Sequence, residues 1–542
     1  MLLMGIMIAG MGVQFAFAQT GYMVTAPAPG GTYSEAVLGP ITSLNPLYAS
    51  SSAEVSFSRL VFSSLYSYDN TGTLRQDLAT SLSSTKNGTV YTVTLRKDAM
   101  WSDGSPLTAG DVVFTIDLIK NPATRSPLRV NWADVNVRAI DSYTVEFTLP
   151  VAYAAFPHAL TFPVLPAHIL ADVNAGALRE STFSRSPIGS GPFAFSLLQP
   201  ADTITKYQAI HLVANPYYYG GRPKLDQFEL YAYANQADIR AALQAGEVNG
   251  AADLENVQKS DLGASYTTVN APIASGVYAL LNNTNPILSD STVRKALQIG
   301  TDMNKVRAAV GGRVLPLYLP FLDGQVPGSP PPPQLNMAQA AVMLDNDGWK
   351  LDSTRTTRYK DGRPLQLVIT TTRDQQFQAA ANELAHQWAS LGVKVTVSSI
   401  DAANISTQFI QNVLQQRNFD VLVYELAIGA DPDVFAYWHS SQGGANTSGY
   451  NFSNYANANS DAILSTARTN VDPALRNAKY VAFAKQWLSD APALGLYQPE
   501  LEYVVSKNST ALKSGAKLIL ASDRYSNVVD WTVNTGLVYK TP

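Results

Sequence analysis

The sequence contains no cysteine, and this absence excludes several kinds of chemistry. Without thiols the chain forms no disulfide, carries no thiol nucleophile and offers no cysteine ligands to zinc or an iron–sulfur cluster. A lipid anchor on an N-terminal cysteine is excluded for the same reason. A chain without thiols also tolerates an oxidising compartment.

Histidine is scarce and basic residues are not in excess. The five histidines show no metal-ligand spacing. Lys and Arg number 38 against 42 Asp and Glu, a formal net charge of -4. Because no positive excess is available to neutralise a phosphate backbone, we expect no nucleic-acid partner. The sequence also predicts no bound metal and no cofactor.

Motifs for catalysis are missing from the sequence. It contains no G-x-S-x-G elbow, no H-E-x-x-H zinc helix and no G-x-x-x-x-G-K-[ST] phosphate loop. Residues 189–194, GSGPFA, come closest to a dinucleotide fingerprint. Pro192 interrupts that pattern and a strand-like segment follows it, so we interpret it as a tight turn. We therefore predict no catalytic residues and a protein that is not an enzyme.

The N-terminal segment is apolar and uncharged up to Glu35. Residues 1–18 have the length and apolarity of a signal peptide or an N-terminal membrane anchor, and residues 16–18 form an A-x-A cleavage pattern. The usual basic residues before the apolar run are missing, which a start codon placed too far downstream would explain. Residues 19–30 are rich in Gly, Pro and small residues, as in a linker. We expect an extracytoplasmic protein, in the periplasm or on the outer face of the cytoplasmic membrane, secreted or tethered by this segment.

Strand and helix patterns alternate through the rest of the chain, of which 46% is hydrophobic. Residues 91–95 show the period-two alternation of a half-buried strand. Residues 337–347 predict a helix capped by Asn336. The segment 365–397 reads strand, helix, strand, which predicts a βαβ unit with two parallel strands.

The most informative stretch is residues 78–115. It contains a strand that ends in Arg96-Lys97, the turn Asp103-Gly104-Ser105-Pro106-Leu107-Thr108, and Asp111-Val112-Val113-Phe114 at the start of a helix. This arrangement closely resembles the signature of family 5 extracellular solute-binding proteins, the peptide-, dipeptide- and nickel-binding receptors of ABC importers.

Further fragments resemble the same family, in the same order, over about residues 45–440. They are Leu44-Asn45-Pro46, Leu165-Pro166-Ala167-His168-Ile169, Pro187-Ile188-Gly189-Ser190-Gly191-Pro192-Phe193, Asn215-Pro216-Tyr217-Tyr218, Gly246-Glu247-Val248-Asn249, 290–297, 360–365, 391–395, Asp431-Pro432-Asp433 and Trp438-His439-Ser440. Each fragment is weak alone, but their number and order favour membership.

The resemblance implies an α/β fold: a two-lobed periplasmic-binding-protein clamshell of type II, with mixed sheets flanked by helices and the extra domain of the peptide-binding cluster. Two crossings between the lobes would act as a hinge. The predicted boundaries are 31–67, 181–272 and 503–542 for the core of lobe I, 68–180 for the extra domain, and 273–502 for lobe II.

The resemblance also implies a function. The expectation is the extracytoplasmic substrate-binding component of an ABC importer, a monomer that captures oligopeptides between its lobes and delivers them to permease subunits in the membrane. The alternatives are a receptor for oligosaccharides or another small solute, an exported chaperone-like scaffold without a transport ligand, and a hydrolase on the same fold.

By the same resemblance, Asp431 is the first candidate for ligand binding, because the matching Asp of peptide-binding members accepts the ligand's α-ammonium. The alternative is a helix cap, since Asp-Pro is typical of a helix start. Arg373, after a strand at the cleft, would clamp a ligand carboxylate, or else lie solvated on the surface.

Four more residues are candidate ligand contacts. Tyr48 and Ser51 follow the Leu-Asn-Pro segment, which forms one cleft wall in relatives. Trp438 would stack on a ligand, or else anchor the core. Asn282 would lie near the hinge, or else satisfy backbone groups.

Overall fold

The computed structural model describes residues 23–85, 88–201, 206–258, 260, 262–311, 313–354, 356–400, 405–447 and 449–539. The predicted signal or anchor segment, 1–18, lies outside the described residues. No helix within the described ranges is long and apolar enough to span a membrane.

The strands alternate with helices along the chain. They are β1 (Met23–Ala28), β2 (Thr32–Leu38), β3 (Tyr66–Tyr68), β4 (Leu74–Gln76), β5 (Ala79–Ser84), β6 (Val90–Leu95), β7 (Asn136–Asp141), β8 (Thr144–Thr148), β9 (Phe193–Gln199), β10 (Tyr207–Ala214), β11 (Gln227–Tyr233), β12 (Gly250–Ala251), β13 (Tyr266–Pro272), β14 (Ser275–Leu281), β15 (Val314–Pro316), β16 (Lys350–Leu351), β17 (Arg358–Lys360), β18 (Arg363–Pro364), β19 (Gln366–Thr372), β20 (Lys394–Ile400), β21 (Val421–Ala427), β22 (Ala493–Ser506) and β23 (Asn534–Tyr539).

The α-helices are α1 (Ser52–Val61), α2 (Ala109–Lys120), α3 (Arg129–Trp132), α4 (Phe156–Ala159), α5 (Ala167–Leu170), α6 (Gln236–Ala245), α7 (Ser291–Ile299), α8 (Met303–Val310), α9 (Met337–Asn346), α10 (Gln375–Ser390), α11 (Phe435–Trp438), α12 (Ala458–Thr469) and α13 (Pro473–Asp490). Short 3₁₀ segments cover Pro46–Tyr48, Pro122–Thr124, Ala175–Glu180, Thr182–Ser184, Ser440–Gln442 and Ala521–Asp530, and Ile405–Gln415 is a π-helical segment.

One mixed sheet of twelve strands runs through both halves of the molecule. Its order is β20-β19-β21-β14-β22-β12-β2-β11-β10-β9, with β13 and β15 also paired to β22. The first half of β22 pairs with β14 and β15, and the second half pairs with β13 and β12. The sheet therefore divides into two lobes that share the strand β22.

The chain crosses between the lobes at two neighbouring places. One is the step from β13 to β14, at residues 272–275, and the other is the middle of β22, near Pro499. The two crossings are held together, because the Ile273 N–H donates to the Pro499 carbonyl at 3.1 Å. The predicted domain boundaries themselves stay predictions.

Local sequence signals place the elements of lobe II. Asn336 caps α9, its Oδ1 accepting from the Gln339 N–H at 2.9 Å. β19, α10 and β20 form the predicted βαβ unit, with the two strands parallel and in register from Gln366↔Lys394 to Thr372↔Ile400. The apolar face of α10, with Trp388 at its centre, covers one face of the sheet.

Lobe I carries a second sheet, with the order β5-β6-β8-β7. Its core is continuous with that of the main sheet of lobe I, and Trp101 is fully buried within it. The GSGP turn joins the two parts, because the Gly189 carbonyl accepts from the Ser102 N–H at 2.8 Å and the Gly191 N–H donates to the Val61 carbonyl at 2.8 Å. A Cβ on Gly189 would lie 2.1 Å from the same carbonyl oxygen, so the close approach requires glycine there.

A buried ion pair joins distant parts of lobe I. Glu35 on β2 and Arg524 are 0% and 1% exposed, with Arg524 Nη2 2.6 Å from Glu35 Oε1. Tyr525 and Tyr503 donate to the two carboxylate oxygens at 2.6 and 2.7 Å, and Ser56 on α1 accepts from the guanidinium. The charges are tolerated inside the core because every oxygen of the carboxylate is hydrogen-bonded.

We predict that Arg524→Met destabilises lobe I by about 3–5 kcal/mol, because it leaves the Glu35 carboxylate buried without its counter-ion. The measurement is the free energy of unfolding from urea titration, followed by tryptophan fluorescence. Arg222→Ala is the control, since its i,i+4 pair with Asp226 is exposed and should contribute less than about 1 kcal/mol. Equal effects of the two substitutions would contradict the prediction.

Candidate functional site

The candidate site is the cleft between the lobes, where strand ends of each lobe face the other. In lobe II, the parallel strands β19 and β21 both end on this side, at Thr372 and Ala427. In lobe I, the parallel strands β2, β11 and β12 end on the facing wall of the cleft, pointing towards the crossings. In open α/β sheets, ligands bind beside the carboxyl ends of parallel strands.

A cavity of about 420 Å³ opens between the lobes beside the crossings. Pro272, Ala274 and Gln498 come from the crossings themselves. The rest of the lining comes from lobe I (Thr71, Gly72, Lys517, Leu518, Ile519) and from lobe II (Leu315, Pro316, Leu322, Asp323, Gly324, Gln325, Gly429, Ala430). Ala430 is followed directly by Asp431, the first predicted ligand residue, which does not itself line the cavity.

Asp431 is held by a guanidinium of its own lobe. Arg476 donates to both carboxylate oxygens, at 2.9 and 2.7 Å, and both side chains are largely buried. Asp431 Oδ1 also accepts from the Asp433 N–H at 3.0 Å. Arg468 lies 3.4 Å from Asp433, whose pKa is raised by burial against the opposing effect of that guanidinium. The two carboxylates are thus balanced by two arginines.

The lobes touch at this end of the cleft. The Ala154 N–H of lobe I donates to the Arg468 carbonyl at 3.0 Å, and the Arg468 guanidinium lies 4.7 Å from the Tyr153 ring centroid. His158 Nε2 lies 4.0 Å from Asp431 Oδ2, while His158 Nδ1 is 2.8 Å from the Tyr68 hydroxyl. These contacts close the cleft over Asp431.

A second group of carboxylates lies at the crossings. Glu425 on β21 and Tyr497 on β22 are each directly opposite Val277 on β14, so their side chains share one face of the sheet. Asp374 follows β19 and caps α10, accepting from the Phe377 N–H at 2.8 Å. From lobe I come Glu255, after β12, and Glu502, whose Oε2 accepts from the Val257 N–H at 2.7 Å. We call Glu255, Asp374, Glu425 and Glu502 the carboxylate cluster.

Burial raises the pKa of three members of the carboxylate cluster, and like charge raises the pKa of two of them further. Burial is the main cause of the raised pKa of Asp374, Glu255 and Glu425. The negative charge of Asp374 raises the pKa of Glu255 and of Glu425 further, and Glu502 adds to the effect on Glu255. Glu255 and Asp374 belong to different lobes, so the cluster places like charges across the cleft.

The structure also describes the local surroundings of Arg373, Ser51 and Tyr48, three of the predicted ligand residues. Arg373 is exposed at the end of β19, as expected. Ser51 is the N-cap of α1, in a capping box with Glu54. Tyr48 is buried, and its hydroxyl donates to the Thr124 carbonyl at 2.9 Å. Ser51 and Tyr48 thus have structural partners, and ligand contact by all three stays a prediction.

Trp438 and Asn282 do not fit their predicted ligand roles. Trp438 is 1% exposed and packs edge-on against Tyr278 and Trp487 in the core of lobe II, so its ring is not available for stacking. Asn282 follows the far end of β14, about 20 Å along the strand from the crossing at Ser275. Its Nδ2 donates to the Phe419 carbonyl at 3.0 Å, which is the backbone role considered as the alternative.

The carboxylate cluster was not predicted from the sequence. A local signal existed at Glu425, the one charged residue within the apolar strand Val421–Ala427. Asp374, Glu255 and Glu502 lie in segments far apart in sequence, and only the sheet topology brings them together. No group of three or more His, Asp or Glu side chains suited to a metal ion occurs in the part of the chain that the structure describes.

We predict that His158 makes the protein less stable at acid pH. Burial lowers the pKa of His158, an effect that outweighs the raising influence of Asp431. The unfolded chain therefore binds a proton below about pH 6.5 that the folded protein resists, and stability is lost as the pH falls. The free energy of unfolding of His158→Gln should fall less between pH 7.5 and 5 than that of the wild type.

His386→Gln is the matched control, because His386 is exposed on α10. Its acid-side loss of stability should equal that of the wild type. A His158→Gln variant that loses as much stability as the control would contradict the assignment.

Comparison with known proteins matches this architecture. The oligopeptide-binding protein AppA of Bacillus subtilis (strain 168) is 27% identical over 519 residues, 90% of each chain. Protein XP55 of Streptomyces lividans is 27% identical over 445 residues, 79% of this chain and 77% of that protein.

Solved structures show the same two-lobed fold. AppA from Bacillus subtilis in complex with a nonapeptide superimposes with a TM-score of 0.75 and 26% identity, over 94% of this chain and all of that one. NikZ from Campylobacter jejuni in complex with Ni(L-His) gives a TM-score of 0.76 and 25% identity, over 92% of this chain and 99% of that one. The predicted two-lobed α/β fold is confirmed.

The family comparison agrees. Residues 73–447 match the family described as bacterial extracellular solute-binding proteins, family 5 Middle. That range is well over half of the chain and includes the segments on which the resemblance was based, except Leu44-Asn45-Pro46. The chain therefore belongs to the family 5 bacterial extracellular solute-binding proteins.

Proposed function

We propose that this protein is the substrate-binding component of an ABC importer and that it captures oligopeptides in the cleft between its lobes. The observation that carries the proposal is the likeness, over nearly the whole chain, to AppA in complex with a nonapeptide. Two adjacent crossings allow the lobes to open and close as rigid bodies, and a ligand bound by both lobes stabilises the closed state.

The protein acts by binding alone. It takes up a peptide outside the cytoplasmic membrane and presents it, as a monomer, to permease subunits. The N-terminal segment either directs export or tethers the protein to the membrane. This proposal requires no catalytic group, and it fits the absence of hydrolase and nucleotide motifs from the sequence.

Asp431 is the proposed acceptor of the peptide's α-ammonium. A carboxylate offers about four acceptor positions, and three hydrogen bonds from Arg476 and the Asp433 N–H are present. The remaining position lies on the side of His158 in lobe I. An ammonium bound there would contact both lobes.

We predict that pooled di- to nonapeptides stabilise the protein against thermal unfolding. A ligand at 100 times its Kd stabilises by about 2.7 kcal/mol, which for a chain of this size raises the Tm by roughly 2–3 °C. Oligosaccharide pools are measured in parallel. A shift with sugars alone would assign the cleft to saccharides, and no shift together with tight binding of unfolded chains would favour the scaffold.

We further predict that Asp431→Asn weakens binding of peptides with a free N-terminus by roughly tenfold or more, the effect of losing a charge-assisted hydrogen bond. Isothermal titration calorimetry measures the Kd. N-acetylated peptides should bind the wild type and the variant equally.

Asp433→Asn is the control for this measurement, because Asp433 pairs with Arg468 in the same buried group. If both variants lose affinity equally, or if acetylated peptides also lose affinity for Asp431→Asn, the assignment of the ammonium to Asp431 fails. The peptide proposal itself would stand.

A further inference from the structure

The carboxylate cluster carries more negative charge than its surroundings balance. Arg240 donates to the Glu255 backbone carbonyl and lowers the pKa of the Glu255 carboxyl. Arg373 adjoins Asp374 in the chain. Among the described residues, these four carboxylates and two guanidinium groups leave a formal excess of two negative charges, and the neighbouring pair of Glu500 and Arg313 leaves that difference unchanged. Within the described part of the chain, this contrasts with the balanced pairs around Asp431.

The cluster also has a polar group without a partner. Tyr497 is 0% exposed, and its hydroxyl makes no hydrogen bond to any described group. The charges of Asp374, Glu425 and Glu255 raise its pKa, after the larger effect of burial, which places the hydroxyl within electrostatic reach of all three. A buried hydroxyl without a partner costs free energy, and it is satisfied when a donor such as an N–H group of a ligand enters.

The four carboxylates approach from separate elements and from both lobes. The Glu425 side chain is accessible to solvent, but protein atoms surround it closely enough to raise its pKa. Asp374 and Glu255 are half-buried, and Glu502 is 7% exposed. Cβ atoms of directly opposite residues in adjacent strands are about 5 Å apart, so Glu425 and Tyr497 lie about 10 Å apart across Val277. This spacing suits an organic cation better than a metal ion, for which the described residues supply no ligand group.

We propose that the carboxylate cluster and the Tyr497 hydroxyl bind a cationic group of the ligand, the ammonium or guanidinium of a lysine or arginine side chain. The inference rests on the proposed capture of peptides, and it adds a preference for basic peptides. The α-ammonium and the basic side chain then occupy two separate positions, at Asp431 and at the carboxylate cluster.

The test compares matched peptides by isothermal titration calorimetry at pH 7.5. Each alanine peptide of two to nine residues carries one lysine, placed at each position in turn. It is compared with the same peptide that carries norleucine in place of lysine. Arginine is compared with citrulline in the same way. At the favoured position the charged peptide should bind roughly tenfold or more tightly, the typical gain of a charge-assisted hydrogen bond.

Glu425→Gln and Asp374→Asn should each reduce that preference, and Asn keeps the helix cap at position 374. Asp361→Asn is the matched control, because Asp361 is exposed in a turn with φ 52°, a conformation that asparagine also tolerates. Tyr497→Phe should reduce the preference for arginine and lysine without weakening the norleucine and citrulline peptides.

The outcomes separate the two proposals. If no peptide binds, the proposed function fails and this inference fails with it. If peptides bind but lysine and norleucine are equivalent, only the inference fails. A preference that survives both cluster variants but disappears in Asp431→Asn would place the cation at Asp431 and overturn the inference. If free putrescine or L-lysine binds as tightly as the best peptide, the cluster binds a small free cation and not a peptide side chain. That result also overturns the inference.

Discussion

The backbone hydrogen bonds along β22 are the constraint on which the two lobes depend. The strand Ala493–Ser506 forms part of the sheet of both lobes, so neither lobe can move independently of it. Pro272 and Pro499 lie where its partners change, and each fixes one φ angle and lacks an N–H donor. A movement of one lobe relative to the other would therefore require changes in only a few torsions, at residues 272–275 and near 499, and would leave the sheet of each lobe intact.

The elements that follow from local sequence could be predicted, and those that follow from long-range pairing could not. The periodicity of α10 and the cap at Asn336 are properties of neighbouring residues. Asn282 was expected near the hinge from the family resemblance alone, and its position after the end of β14 that lies away from the crossing follows from long-range strand pairing. Trp438 shows the same limit, since a short helix after Asp431 does not reveal that its ring packs against Trp487, about 50 residues later.

The site shows why carboxylates with similar local sequences have different roles. Asp431 and Asp433 form buried pairs with Arg476 of α13 and Arg468 of α12, so each of these carboxylates has its own counter-ion. Within the described residues, Glu425 and Asp374 form no salt bridge of that kind, and burial raises the pKa of both carboxyl groups. Asp431 and Asp433 differ from Glu425 and Asp374 in having arginine counter-ions. Those arginines lie in helices far along the chain from Asp431 and Asp433, so no local motif reveals the pairing.

The contacts around Asp431 and the carboxylate cluster have opposite effects on closure of the lobes. At one end Arg468 reaches Tyr153 of lobe I and favours the closed state. At the crossings Asp374 and Glu255 bring like charges from different lobes together, which disfavours closure while the cleft contains only water. A ligand changes a conformational equilibrium only by as much as it prefers one state. A cation bound between Asp374 and Glu255 prefers the closed state, because it attracts both carboxylates at once only when the two lobes are close together. Closure is then coupled to the charge of the occupant, and a permease that recognises the closed form would receive loaded receptors.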